Sequence, residues 1–321
     1  MTCAVVLSAY NGENYIEEQL LSLLRQTRQP DAVIIRDDGS SDRTPALIER
    51  FIRDRGLKSW SFSVNEKNRG WMKNFRELIL GAEADVVFPC DQDDIWHETK
   101  LEEMCAILEQ NPQIDLLACG YTPRYEDSTR RVSRRILKTM NDSGRIEEPA
   151  MDERFLNVLR PGCTFALRRD FCLALAPAWD EGLPHDAMLW RCALVKGTAR
   201  LYQKPLITWR RYNTSSSNPN SAAREYADHD RLMLDFYVGN CESHLLFLRC
   251  ARKLIESGRL VPRAGAERLL RRSEEYETAQ REALLSHSVL RNLGCALRYR
   301  RFYLSKKSPL AYAYISMRTK N

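Results

Sequence analysis

The 321-residue chain has no run of about 18 apolar residues, so it offers nothing that would span a bilayer as a helix. Its start, Met1-Thr2-Cys3-Ala4-Val5-Val6-Leu7, lacks the basic segment and cleavage site of a signal peptide and reads as a first β-strand. The expectation is a cytoplasmic protein. No Cys-x-x-Cys pair occurs among the ten cysteines, and the five histidines show no zinc-site spacing. The cysteines are scattered among apolar neighbours, as buried thiols are, and a disulfide framework is not expected. Acidic residues stop at Glu282. Beyond it the tail carries Arg291, Arg298, Arg300, Arg301, Lys306, Lys307, Arg318 and Lys320 with no carboxylate. The formal net charge is only +6, so the basic excess is local. Elsewhere bases are balanced by acids, which argues against nucleic acid as a partner. An acid-free basic end points to an anionic partner such as a membrane surface or a polyphosphate.

What is present is a globular profile, 44% hydrophobic and 29% charged. Strand-like and helix-like stretches alternate in the first part of the chain. Strands are expected at 3–8, 32–36, 60–64 and 86–89. Helices are expected at 15–26, 44–53, 71–81 and 100–108. This alternation implies right-handed crossovers and a mostly parallel sheet of the α/β class. Residues 124–145 read as a basic surface loop and 213–220 as a polar linker. Helices follow at 223–236, 242–256 and 264–285. The expected division is a catalytic domain over 1–215 and a C-terminal helical region with a basic tail over 216–321.

In open parallel sheets, ligands bind outside the carboxyl ends of the strands. The polar clusters of this chain fall there. Ser8-Ala9-Tyr10-Asn11-Gly12 follows the first strand and Asp37-Asp38-Gly39-Ser40-Ser41-Asp42 the second. Asn65 and Asn68-Arg69-Gly70 follow the third, and Asp91-Gln92-Asp93-Asp94 the fourth. The carboxylates of Asp91, Asp93 and Asp94 repel one another, and a divalent cation such as Mn²⁺ or Mg²⁺ relieves that with oxygen ligands. A solvated acidic turn is the plain alternative. Asp37 and Asp38 suit a ribose or a base N–H; the plain alternative is that the segment only starts the next helix through Ser40, Ser41 and Asp42, and both hold together with Asp42 as capper and Asp38 as base reader. Tyr10 suits base stacking or a rim position. Arg69 suits a phosphate or an unpartnered surface site.

Together these motifs resemble family 2 glycosyltransferases of the GT-A fold, in particular the rhamnosyltransferase-like branch. Glu18-Gln19-Leu20 with Ser22-Leu23, Asn74-Phe75, Trp96 and Lys100 add to the match. Farther on, Pro161-Gly162-Cys163-Thr164-Phe165-Ala166 resembles the family's Gly-Cys segment beside the acceptor cleft. His185-Asp186 resembles its short acidic motif. Thr208-Trp209-Arg210-Arg211-Tyr212 falls where relatives carry Tyr-Arg-x-His, with Tyr212 in place of the histidine that would contact metal or diphosphate. The resemblance implies a Rossmann-like GT-A sheet flanked by helices. It assigns Ser8, Tyr10, Asp38, Arg69 and Asp91 to the nucleotide and its sugar. It makes Asp93 the metal ligand and Asp186 the catalytic base, while Asp186 capping helix 187–195 is the structural alternative. Asp94, Trp96, Arg210, Arg211 and Tyr212 are placed toward the diphosphate or acceptor.

The implied activity is inverting transfer of a sugar, rhamnose by family weight, from a dTDP- or UDP-linked donor. The acceptor is a saccharide or a lipid-linked one in cell-surface polysaccharide synthesis. The basic tail, with leucines and aromatics between its arginines, suits a peripheral position on the inner face of the plasma membrane or packing on the catalytic domain. A nucleotidyltransferase would need a Gly-rich, basic triphosphate loop after the first strand, and residues 8–14 have one glycine and no base. A catalytically impaired nucleotide-sugar-binding or scaffold protein is the other reading, resting on Tyr212.

Overall fold

The computed structural model describes residues 1–127, 131–132, 134–212, 229–303 and 308–319. The described residues fall into two compact units, Met1–Pro149 with Val158–Arg211, and Ala150–Asn157 with Tyr212–Asn321. The expected linker at 213–220 and the start of the expected helix at 223–236 lie outside the described residues, as do Lys306, Lys307 and Lys320.

The first unit begins β1 (Cys3–Ala9), α1 (Ile16–Leu24), β2 (Ala32–Asp37), α2 (Thr44–Arg55), β3 (Trp60–Val64) and α3 (Trp71–Gly81). It continues with β4 (Val86–Asp91), β5 (Ile95–Trp96), α4 (Lys100–Gln110), β6 (Leu116–Tyr125), α5 (Arg134–Leu137) and β7 (Ile146–Glu147). A 3₁₀ turn at Gly162–Thr164 leads into β8 (Phe165–Arg168), then α6 (Arg169–Leu175), α7 (His185–Lys196) and β9 (Ala199–Arg211). The nine strands form one open sheet in the order β3-β2-β1-β4-β8-β6-β9-β5, with β7 also on β9. β3, β2, β1 and β4 are parallel, β8 runs against them, and β6 and β9 are parallel to each other.

Residues 3–7 of β1 are all buried, because a central parallel strand is covered by helices on both faces. Its Val5 and Leu7 join Ile35, Phe88, Leu101 and Leu117 in the main core. Pro89 sits in β4, where a missing N–H would normally break a ladder. β4 pairs β8 only at Val86 and Val87, so Pro89 lies beyond that pairing. The outer half of β4 thereby opens toward the Gly162–Thr164 turn. The stretch 124–145, expected as a loop, contains the end of β6 and the short α5 among its described residues.

The second unit consists of α8 (His229–Glu256), α9 (Ala266–Leu285), α10 (Val289–Arg298) and α11 (Ser308–Arg318). The helices expected separately at 223–236 and 242–256 run together as α8, with Gly239 inside it. Tyr276, Tyr299, Phe302 and Tyr303 form an aromatic cluster, and Leu234, Cys241, Leu284 and Ile315 form a separate aliphatic one. No helix among the described residues is long and apolar enough to cross a membrane.

Candidate active site

Strand register brings the polar clusters level. Ser8 pairs with Asp91, Ala9 with Asp37, and Asp37 with Val64. The ends of β1, β2, β3 and β4 therefore finish along one edge of the sheet.

Between β2 and α3 the Asp37-Asp38 pair builds a hydrogen-bonded scaffold. Asp37 is fully buried and accepts from the Ser40 N–H at 2.7 Å and the Ser40 hydroxyl at 2.5 Å. Asp38 accepts from the N–H groups of Arg69 and Gly70, both at 2.9 Å, and from the Asn65 amide at 2.8 Å. Its carboxylate thus fastens the 65–70 loop to the sheet. Asn74 donates to the Ser8 hydroxyl at 2.8 Å and accepts from Asn65 at 3.2 Å. Gly39 has φ +78°, a left-handed conformation costly for side chains, and a Cβ there would lie 3.0 Å from the Asn68 nitrogen. The Arg69 guanidinium forms a two-pronged ion pair with Glu77, at 2.7 and 2.5 Å, which Arg36 joins at 2.9 Å. Tyr10 is exposed at the rim. Its backbone is held from both sides by the Gln92 side chain, at 2.7 and 2.9 Å.

The acidic turn lies at the end of β4. Asp94 is 1% exposed. Its Oδ1 accepts from the Arg210 N–H at 3.1 Å, and its Oδ2 has no hydrogen-bond partner. Ligand atoms of Asp91, Asp94 and Cys163 lie within 4.8 Å of one another, the one such cluster among the described residues, and Asp93 is not part of it. Burial, then the Asp93 charge, push the Asp91 carboxyl up to about 7, and Asp186 adds to the effect. Burial, then Asp93 and Asp91, raise Asp94 well above the carboxylate range. Burial and the same two carboxylates raise the Cys163 thiol, which therefore stays protonated. Lys100 is the internal counter-cation. It is fully buried, donates to the Cys163 carbonyl at 3.1 Å and sits 3.2 Å from the Trp96 ring centre.

Arg210 is the clasp of this turn. Besides its N–H on Asp94, its Nε donates to the Asp93 carbonyl at 2.8 Å, and its two terminal nitrogens bond Glu18 and Glu126. Arg211 is buried against the Trp209 ring, 4.5 Å from its centre. Trp96, expected on the diphosphate or acceptor, is 2% exposed and packs in the core beside Phe88. Tyr212 belongs to the second unit.

α7 brings His185 and Asp186 to the same edge, and Asp186 is close enough to raise Asp91. Pro184, not Asp186, occupies the N-cap position; the Asp186 carboxylate takes the N–H of Ala187 at 2.7 Å, inside the first turn. His185 is buried against Phe75, ring centres 4.3 Å apart, with both ring nitrogens unpartnered. Burial holds its pKa below the usual histidine range. A Cβ on Gly162 would stand 2.0 Å from His185 Nε2, so the 3₁₀ turn and α7 meet closely through the glycine.

The motifs include Glu18, Gln92, Lys100 and Cys163 without the contacts they make here, and Glu126 is in none of them. Lys100 was readable: it falls in phase with Leu101, Met104, Cys105 and Leu108 on the buried stripe of α4. Glu18, Glu126 and Cys163 meet the turn only through tertiary contacts, and Gln92, within it, reaches back to Tyr10; spacing gives no signal for either.

The open α/β sheet with an acidic turn at a strand end is that of the GT-A glycosyltransferase fold. The chain belongs to glycosyl transferase family 2, whose model matches residues 4–174. The dTDP-rhamnosyl transferase RfbG of Shigella flexneri is 26% identical over 226 residues, 67% of this chain and 74% of that one. Among solved structures, S. aureus TarS 1-349 in complex with UDP-GlcNAc superposes with a TM-score of 0.57 at 18% identity, covering 99% of this chain and 91% of that one. The mannosyltransferase PcManGT of Pyrobaculum calidifontis, in complex with GDP-Man and Mn²⁺, superposes with a TM-score of 0.52 at 15% identity, covering 99% and 88%. At those identities the structures speak for the fold.

Proposed function

We propose that this chain is an inverting glycosyltransferase that moves a sugar from a nucleoside diphosphate donor to a saccharide or lipid-linked acceptor. The observation that carries the reading is the Asp91–Asp94 pair at the end of β4, half-buried at Asp91 and fully buried at Asp94, with one Asp94 oxygen unpartnered and Asp186 near enough to raise Asp91. Rhamnose from a dTDP donor is the assignment favoured by likeness to RfbG, and a UDP-linked hexose is the next. The catalytic domain is assigned to 1–215 and a helical region to 216–321. The protein works in the cytoplasm.

In this reading Ser8, Tyr10 and Asp38 form the base and ribose end. Asp38 acts through the loop it fastens, and Arg69 lines that loop while paired with Glu77. Asp91 faces the sugar. A divalent ion, Mn²⁺ or Mg²⁺, fits the orphaned Asp94 oxygen and the Asp91 carboxylate, with Asp93, the ligand the family resemblance implies, in the same turn; the protonated Cys163 suits it poorly. Such an ion, when bound, neutralises charge on the departing diphosphate. Arg210 positions the turn through its bonds to Asp93 and Asp94, and Trp96 does so through Lys100. Arg211 and Tyr212 are assigned to the diphosphate or acceptor side.

The acceptor oxygen attacks the anomeric carbon while Asp186 takes its proton. The bond from that carbon to the diphosphate oxygen breaks, and the electron pair leaves with the nucleoside diphosphate. A single carboxylate base with no carboxylate nucleophile opposite it gives inversion. Asp186→Asn tests the assignment. Transfer should fall by about 10²–10⁴-fold, while donor affinity, read by calorimetry, stays within a few-fold. Near wild-type transfer by the variant rules Asp186 out as the base.

A further inference from the structure

We propose that the outward face of α10 docks the protein on an anionic lipid surface. The inward side of α10 is fixed by Asn292, Cys295 and Tyr299, all buried. The Asn292 amide donates to the carbonyls of Ala283 and Ser288, both at 2.9 Å. This anchors the helix and decides what it turns to solvent. Positions 290, 294 and 297 lie on the opposite side at helical spacing. Leu290 and Leu297 there are 82% and 80% exposed, the two most exposed large hydrophobic side chains among the described residues. Two leucines a heptad apart, held outward by a polar anchor on the other side, form an apolar ridge with nothing against it among the described residues.

The flank of that ridge identifies the occupant. Arg291 and Arg298, also a heptad apart, follow the two leucines along it and are exposed. Arg300 is exposed just beyond the helix. Among the described residues Arg301 and Arg318 of the tail pair with Glu153 and Asp230, whereas no ion pair involves Arg291, Arg298 or Arg300. An apolar ridge edged by unneutralised guanidinium groups matches a bilayer interface. The leucines enter the acyl boundary, and the arginines stay at the level of anionic headgroups. A second copy of the chain fits worse, since a two-fold contact would set this basic face against itself. The docking does not rest on the transferase reading.

The test is co-sedimentation of the full chain with phosphatidylglycerol/phosphatidylcholine vesicles and with pure phosphatidylcholine vesicles. Wild type should partition onto the anionic vesicles and release with added salt. Leu290→Ser/Leu297→Ser should weaken that partition by roughly tenfold or more. Arg291→Glu/Arg298→Glu should weaken it as much and remove most of the salt dependence. Both pairs are solvent-exposed, so an unchanged melting temperature verifies that the fold is intact. The proposal is overturned if wild type binds neither vesicle, or if both double variants sediment as wild type does. It is equally overturned if the leucine variant turns a dimer into a monomer without any vesicle binding, which would assign the ridge to a second copy.

Discussion

At the end of β4, burial and the neighbouring Asp93 carboxylate together push the Asp91 carboxyl up to about 7. An acid whose folded pKa exceeds its unfolded value binds more protons folded than unfolded. Its contribution to stability is therefore complete at low pH and is lost as pH rises toward 7. Wild type should lose melting temperature relative to Asp91→Asn between about pH 4 and pH 7, and a thermal melt series in both proteins checks this. Gly162 gives a steric test. Its alanine variant drives a methyl group into the His185 ring and should cost about 1–3 kcal/mol. Denaturant unfolding of Gly162→Ala, His185→Ala and the double variant should show the double less destabilised than the sum of the singles. At this scale the positions of Asp38, Asp91 and Asp186 at strand ends and a helix start were legible, because the hydrophobic pattern marks those ends. The contacts of Cys163 and Glu126 were not, because they depend on chain segments far away in sequence that the sheet order brings together.

The elements from β1 to α4 follow the hydrophobic pattern closely, and β3 and α3 have the expected bounds of 60–64 and 71–81. The far half of the sheet did not declare itself. β5 has two residues and β8 four, too few for a period, and β9 reads as mixed because one end is core and the other is site. The separate helices expected at 223–236 and 242–256 are one because Gly239 costs a helix only about 1 kcal/mol, too little to end it when packing continues on both sides. The loop from Asn65 to Gly70 is held to the sheet through Asp38. Replacing Asp38 with Ala removes the acceptor of the Arg69 N–H, while the Gly70 N–H keeps Asn68 and the Asn65 amide keeps Asn74, so the loop loses its tie to the sheet at a cost of about 1–3 kcal/mol. Hydrogen exchange should quicken at Arg69, Gly70 and the first turn of α3 while the amides of β1 keep their protection. Unchanged exchange there would show that the loop is held by something else.

Over the whole molecule, the acidic turn at one edge of the sheet and the acid-free basic end are opposite in charge and separate in the chain. Composition revealed both, but neither the donor sugar nor the acceptor, which depend on the shape of loops around the site. Two readings of the acidic turn separate cleanly in solution. A structural turn has no reason to respond to a nucleotide sugar, whereas a donor site gains stability from any ligand that prefers the folded state. The decisive measurement is a thermal-shift titration of the full chain with dTDP-rhamnose, UDP-GlcNAc and other nucleotide sugars, each with and without Mn²⁺, in wild type and in Asp91→Asn/Asp94→Asn. At least one donor should raise the wild-type melting temperature by several degrees, more with Mn²⁺ than without, and the double variant should lose that gain. No shift with any donor in wild type, or an equal shift in the double variant, would contradict a donor site at the end of β4.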